Sequence, residues 1–441
     1  MKRATWTPVD AARFDPGHGE RALAYAASDG AFSLYNDYRS GSSFLVRPAI
    51  AEGPESLAAR WRTADLADGP RPLGPTDGVE GYGVFTFPYG PITLGVPESG
   101  RFDLRTYGER ILSASVVGGF KRRRILAGLA GLPVDEAGLR VERIAGNFAA
   151  AHVSAFLAAA ESARGDPVPI GELWVRAVAQ EIQRAYNHLH VIARIAEAAA
   201  QNVGLAQAHA LAEELLRLQG RLFGHRWAFG ALLHGGPPRR LDRDDRRQLP
   251  ARLSTLSARF EELWSLFLGS RTFIDRIQDT VALSRERVVA AGGVGPTLRA
   301  CGVPWDDRLR VPSVPYTDLF VDLPQESGGD ALARVLVRAD EVRSSFSLLE
   351  QLLDRWPKRP GESLAPDEPI APGRGLGRVE APSGDLVYDV TVADDRIVRV
   401  GARTPAEANF PIFGEGLRDA VFTDFHFAFE SFGLVFAEVD R

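Results

Sequence analysis

Apolar residues recur at alternating steps of three and four through the middle of the chain. Val178, Ile182, Ala185, Leu189, Ile192 and Ala196 form one series, and Leu211, Leu215, Leu218 and Leu222 a second. Leu253, Leu256, Phe260, Leu263 and Phe267 form a third. The fourth runs through Leu332, Val335, Ala339, Val342, Phe346, Leu349 and Leu353. Each spacing lays one apolar stripe along a helix. Long single-striped helices bury their stripes best against one another, which predicts a bundle within residues 140–356. "LHGGPP" and "RWPKRPG" read as stops after the second and last helices.

Two flanking regions alternate with period two. "VFTF", "RFDLRTY" and "ILSASVV" carry β-branched and aromatic residues between turn signals, predicting a small antiparallel sheet within 76–120. After a Gly/Pro-rich linker, "GRVEAPSGDLVYDVTVADDRIVRVGART" predicts a meander that opens the C-terminal region 378–441. Residues 1–75 read as irregular, with a linker at "DLADGPRPLGPTDG". The expected fold is therefore α+β and mainly α, a central long-helix bundle with small antiparallel sheets beside it.

Composition narrows the chemistry. A net charge of −5 provides no field for nucleic acid, and basic runs such as Lys121–Arg124 and Arg239–Arg240 read as solvated faces. The one cysteine, Cys301, excludes a disulfide framework and a cysteine-held zinc or iron–sulfur site within this chain. The N-terminus lacks a signal-like apolar run, and no stretch approaches the roughly 20 apolar residues that span a bilayer. The expected location is the cytoplasmic side of the cell membrane, held peripherally. "GVGPTLRACG" is glycine-rich but lacks the Lys-Ser/Thr of a phosphate loop and the strand–GxGxxG–helix order. None of the eight histidines falls in a metal-binding spacing with carboxylates. His188 shares a helix face with Glu181 and Arg184, a strip that reads as structural pairing.

Several blocks together resemble the large subunits of nickel–iron hydrogenases. They include Glu181, Arg184, Asn187-His188-Leu189 and Gly224-His225-Arg226, then Ser284-Arg285-Glu286, Gly293, Gly295-Pro296, Arg299 and Gly302. "VEAPSGDLVY" and "GDALARVLVRADEVRSSFSLLEQLL" add two more, so the resemblance covers about residues 85–441 in order. Within that superfamily the chain most resembles the 49-kDa (D) subunit of NADH–quinone oxidoreductase, respiratory complex I, and the large subunits related to energy-converting hydrogenases. The resemblance implies one domain over 76–441. Residues 1–75 are then a remnant of a fused domain like the C protein of complex I, or an extension that wraps a neighbour.

The departures from the family carry the chemistry. Hydrogenases of this kind hold nickel and iron with two Cys-x-x-Cys pairs, which here fall on Ala145 and Phe148 and on Val435 and Glu438. Without thiolates these positions cannot hold the metals, which rules out hydrogenase activity. Complex I relatives bind the quinone headgroup with a His and a Tyr. The His position is Thr93, in Gly90-Pro91-Ile92-Thr93-Leu94, and the Tyr position is Gly146. Thr93, Gly146, Phe148 and Val435 are thus expected to line a vestigial metal or quinone cavity. Glu438, His152, Asp440 and His426 are the remaining candidates for proton transfer.

The C-terminus, "LVFAEVDR", resembles the family's tail, which threads back beside the metal site. It is expected to be buried against an iron–sulfur small subunit, with Arg441 pairing an acid. The resemblance implies that this chain binds no cofactor itself and that a quinone is the carrier. A 4Fe–4S cluster is expected in the small iron–sulfur partner, which is like the B protein of complex I. Partners like the C protein and the membrane-embedded H protein of complex I, with antiporter-like membrane proteins, complete the implied complex. The expected function is that of one component of an NAD(P)H- or quinone-linked redox module coupled to ion translocation. The alternative is a non-catalytic coupling piece between a peripheral module and the membrane arm.

Overall fold

The computed structural model describes residues 6–47, 69–76, 78–93, 95–121, 123–234, 243–310, 313 and 315–441. The chain opens with a four-stranded sheet, not an irregular segment. Its strands β1 (Thr7–Asp10), β2 (Arg21–Ala26), β3 (Ser33–Asp37) and β4 (Ser42–Arg47) lie in the order β1-β4-β3-β2, with β1 parallel to β4. The Gly, Asp and Ser residues that suggested disorder occupy the turns, while "RALAYA" and "SLYND" are almost wholly buried. Strands covered on both faces lose the polar–apolar alternation that marks a strand in sequence. Most of the proposed linker and Arg239–Arg240 lie outside the described residues.

The second sheet follows the expected pattern. β5 (Arg71–Pro72), β6 (Phe85–Tyr89), β7 (Arg101–Tyr107) and β8 (Arg110–Gly118) pair antiparallel in the order β5-β8-β7-β6. The β6–β7 connection holds Thr93.

Seven principal helices follow: α1 (Ala149–Arg164), α2 (Ile170–Ala198), α3 (Asn202–Phe223), α4 (Arg243–Gly269), α5 (Ala331–Asp354), α6 (Pro405–Gly416) and α7 (Phe425–Phe432). α2 packs against α3 and α5, and α4 closes the bundle against the same two. The four stripes face inward: only Leu332 and Leu353, at the two ends of α5, are partly exposed. α3 stops at Phe223, well before "LHGGPP", because Gly224 takes the left-handed conformation that ends a helix. α1 lies outside the bundle and packs on the meander β9 (Arg374–Ala381), β10 (Gly384–Ala393) and β11 (Arg396–Arg403), which is antiparallel in that order. The meander is followed by two helices, α6 and α7, which the strand-based reading of 378–441 missed. α6 carries a capping box between Thr404 and Glu407 and Pro at its start.

Candidate functional site

The tail folds back into the molecule. Leu434, Phe436, Ala437 and Val439 are buried against this chain's own residues. Phe436 stacks on Phe410 with ring centroids 4.5 Å apart and meets Phe102 and Phe429. Gly100 allows that approach: a Cβ there would lie 2.0 Å from the Phe436 ring. Phe102, Phe410 and Phe429 cover the apolar face of the tail within this chain itself.

Burial of the tail carries Glu438 to α1. Glu438 is 1% exposed, and its Oε1 lies 3.3 Å from Nε2 of His152, itself 0% exposed. The two atoms face each other without hydrogen-bonding alignment, and among the described residues neither has another hydrogen-bond partner. The opposite His152 nitrogen, Nδ1, hydrogen-bonds the Tyr388 hydroxyl on β10 at 2.8 Å. Burial raises the pKa of that phenol, which keeps it neutral. Glu438 Oε2 accepts the Ala406 amide at the start of α6 (3.2 Å), where unpaired N–H groups and the helix dipole favour an anion. Arg441 pairs not with Glu438 but with Glu407, Nη1 to Oε1 at 2.6 Å, and gives Glu438 only a bond to its main-chain carbonyl. A carboxylate, an imidazole and a phenol thus form one buried line.

The other predicted positions divide. Ala145, Phe148 and Ala437 lie in one apolar core and Val435 packs on it, so three of the four former ligand positions are hydrocarbon. These side chains have no thiolate to offer nickel or iron. Among the described residues, no group of three or more His, Cys, Asp or Glu side chains is placed to hold a metal ion. Gly146 sits under the Trp227 ring and accepts the Tyr186 hydroxyl at its carbonyl. Asp440 is not brought to His152. Its Oδ2 accepts the Lys121 amide at 3.0 Å and its carbonyl the Arg123 amide at 3.1 Å, pinning the tail to the segment after β8.

Thr93 is half-buried and bridges Val96 within the β6–β7 connection; its neighbour Leu94 lies outside the described residues. Two side chains overlooked in the sequence do more there. Glu98 accepts the Ala437 amide at 3.1 Å, and burial raises its pKa. Tyr89, one residue before Gly90-Pro91, hydrogen-bonds Nε2 of His426 at 3.0 Å. Burial lowers the His426 pKa, and Arg194 adds to the effect. The local signal for Tyr89 was its place beside the Gly-Pro turn; its partner is 337 residues away and invisible to local spacing.

His188 is structural in geometry. Arg338 Nη1 lies 3.1 Å from its Nδ1 and must donate, so Nε2 carries the hydrogen given to Glu341 at 2.7 Å. Burial drives the imidazole pKa down to about 4, so it is neutral. Burial opposes ionisation of Glu341, but Arg299 and the His188 hydrogen bond more than offset it and hold its pKa well below the usual range.

Residues 204–372 match the family model of the respiratory-chain NADH dehydrogenase 49 Kd subunit. A carbon monoxide-induced hydrogenase of Rhodospirillum rubrum is 26% identical over 328 residues, 74% of this chain and 91% of that protein. The D 1 subunit of the NADH-quinone oxidoreductase of Roseiflexus sp. is 28% identical over 294 residues, 64% of this chain and 79% of that one. A chain of the archaeal membrane-bound sulfane sulfur reductase, a respiratory membrane complex, superposes with a TM-score of 0.75 at 24% identity, covering 82% of this chain and all of that one, which shows the shared fold. By sequence, this chain is similar to the 49 Kd subunit of the respiratory-chain NADH dehydrogenase and to a carbon monoxide-induced and a membrane-bound hydrogenase.

Proposed function

We propose that this chain is the large subunit of a membrane-associated, complex I-like or energy-converting hydrogenase-related complex that works without a nickel–iron site. It contributes to a module that reduces a quinone or another carrier, coupled to ion translocation. The observation that carries this reading is the buried Glu438–His152–Tyr388 line, with Glu438 at a position that the sequence resemblance matches to a metal ligand. Electrons come from an iron–sulfur cluster in a small partner like the B protein of complex I. Protons come from side chains of this chain. Glu438 and His152 hold the inner proton, and Tyr89–His426 offers a second hydrogen-bonding pair beside the Thr93 connection.

Among the described residues no helix is long and apolar enough to cross a membrane. Attachment then falls to partners on the cytoplasmic side: a membrane protein like the H protein of complex I, antiporter-like proteins, and a peripheral one like the C protein. The edge strand β6 supports such docking. Phe85 and Phe87 are exposed on it, with Tyr82, Ile92 and Tyr107 exposed nearby. The apolar packing of Ala145, Phe148 and Ala437 favours a second reading, a non-catalytic coupling piece.

Glu438→Gln separates the two. It keeps the shape and removes the titrating proton. In the redox reading the complex assembles but carrier reduction falls by about 10²-fold or more, the usual scale for a lost acid–base group. In the coupling reading, turnover is unchanged.

A further inference from the structure

A second group of buried carboxyls lies apart from this line, between the N-terminal sheet, the short helix Asp307–Arg310 and the meander. Arg378 on β9 presents its Nε/Nη2 edge to Asp307 and Asp385 together. Nε lies 3.0 Å from Asp307 Oδ2 and 2.8 Å from Asp385 Oδ1. Nη2 lies 2.9 Å from Asp307 Oδ1, 2.7 Å from Asp385 Oδ2 and 3.1 Å from Asn36 Oδ1. Nε carries one hydrogen and Nη2 two, against five oxygens. Trp305 Nε1 also donates to Asp307 Oδ1, at 3.1 Å. One guanidinium fork satisfies one carboxylate. Both acids are at most 3% exposed, so bulk solvent does not reach them. Both carboxyl groups are therefore held at one guanidinium edge, and a hydrogen on one of them would relieve the repulsion between them.

We infer that Asp307 and Asp385 share one bound proton at neutral pH, making this buried junction a proton-binding site of the folded chain. The neighbours place that proton on Asp307. Behind Asp385 lies the buried cation Arg403, and Tyr38 is close by. On the Asp307 side Glu380 Oε2 takes the Asp307 amide at 3.1 Å, while Glu380 Oε1 lies on Arg299 at 2.9 Å, with Asp306 also on that guanidinium. Burial, reinforced by the charges of Asp385 and Glu380, raises the Asp307 pKa well above the usual carboxyl range. Burial and Asp306 push Glu380 up to about 7, so the same junction has a second group that titrates near neutrality.

The test is the pH dependence of unfolding of the purified chain and of its Asp307→Asn variant, whose amide imitates the protonated acid. A carboxyl that keeps its proton only in the folded state makes the wild type lose stability as pH rises above the unfolded pKa. The melting temperature of Asp307→Asn minus that of wild type should therefore increase from about pH 4 to about pH 8. A flat or decreasing difference overturns the inference. Infrared spectra at neutral pH provide the second measurement. Asp307→Asn and Asp385→Asn should each show one fewer protonated carboxyl than wild type, the latter because Asp307 then ionises with Arg378 to itself. If Asp307→Asn does not fold, Asp385→Asn decides alone, and an undiminished band contradicts the shared proton.

Discussion

At the residue scale, two sorts of buried polar group coexist. Arg299 is committed: its guanidinium holds Glu341 at 2.5 Å and Glu380 at 2.9 Å, all three essentially unexposed. Removing such a partner leaves buried charge uncompensated, so Arg299→Met should cost about 3–5 kcal/mol in urea denaturation. His188 is neutral in the fold, with its pKa depressed to about 4 against an ordinary 6.5. The unfolded chain takes up a proton there first, so this contribution is full above about pH 6.5 and is lost as pH falls toward 4. His188→Gln, which keeps a donor for Glu341, should flatten the fall in melting temperature over that interval; an unchanged acid slope contradicts the neutral assignment. The pairing role of the Glu181–Arg184–His188 strip was legible from helical spacing alone. Tyr388, Glu98 and Tyr89 were not, since each gains its role from a residue far along the chain.

At the element scale, the stripes carried most of the readable information, because a helix that must bury one face repeats it every three to four residues. Leu256 and Leu349 are at most 5% exposed. Leu→Ala at either should cost about 2–5 kcal/mol, and a loss under about 0.5 kcal/mol at both contradicts the packing of α4 against α5. The N-terminal sheet was misread for the opposite reason. Its strands are short, doubly covered and joined by Gly- and Asp-rich turns, so their composition resembles a loop. Helices α6 and α7 escaped notice because both are short and rich in apolar residues, too short for a helical period to stand out. The tail is an element in the same sense: Phe436→Ala should cost about 3–5 kcal/mol by chemical denaturation of the isolated chain, with no partner present. A negligible loss would mean that its ring is not held by Phe102, Phe410 and Phe429.

At the scale of the whole molecule, the positions that the sequence resemblance matches to metal ligands hold hydrocarbon, at Ala145, Phe148 and Val435, and one carboxylate, Glu438. The fold brings α1 and the tail together, which sets Glu438 against His152. The central claim is that this arrangement works without nickel. The most direct measurement is the nickel content of the assembled complex, purified from cells grown with the metal in excess. The account predicts no nickel above background, with iron accounted for by the partner's cluster. Stoichiometric nickel that stays with this chain when the components are separated would contradict it.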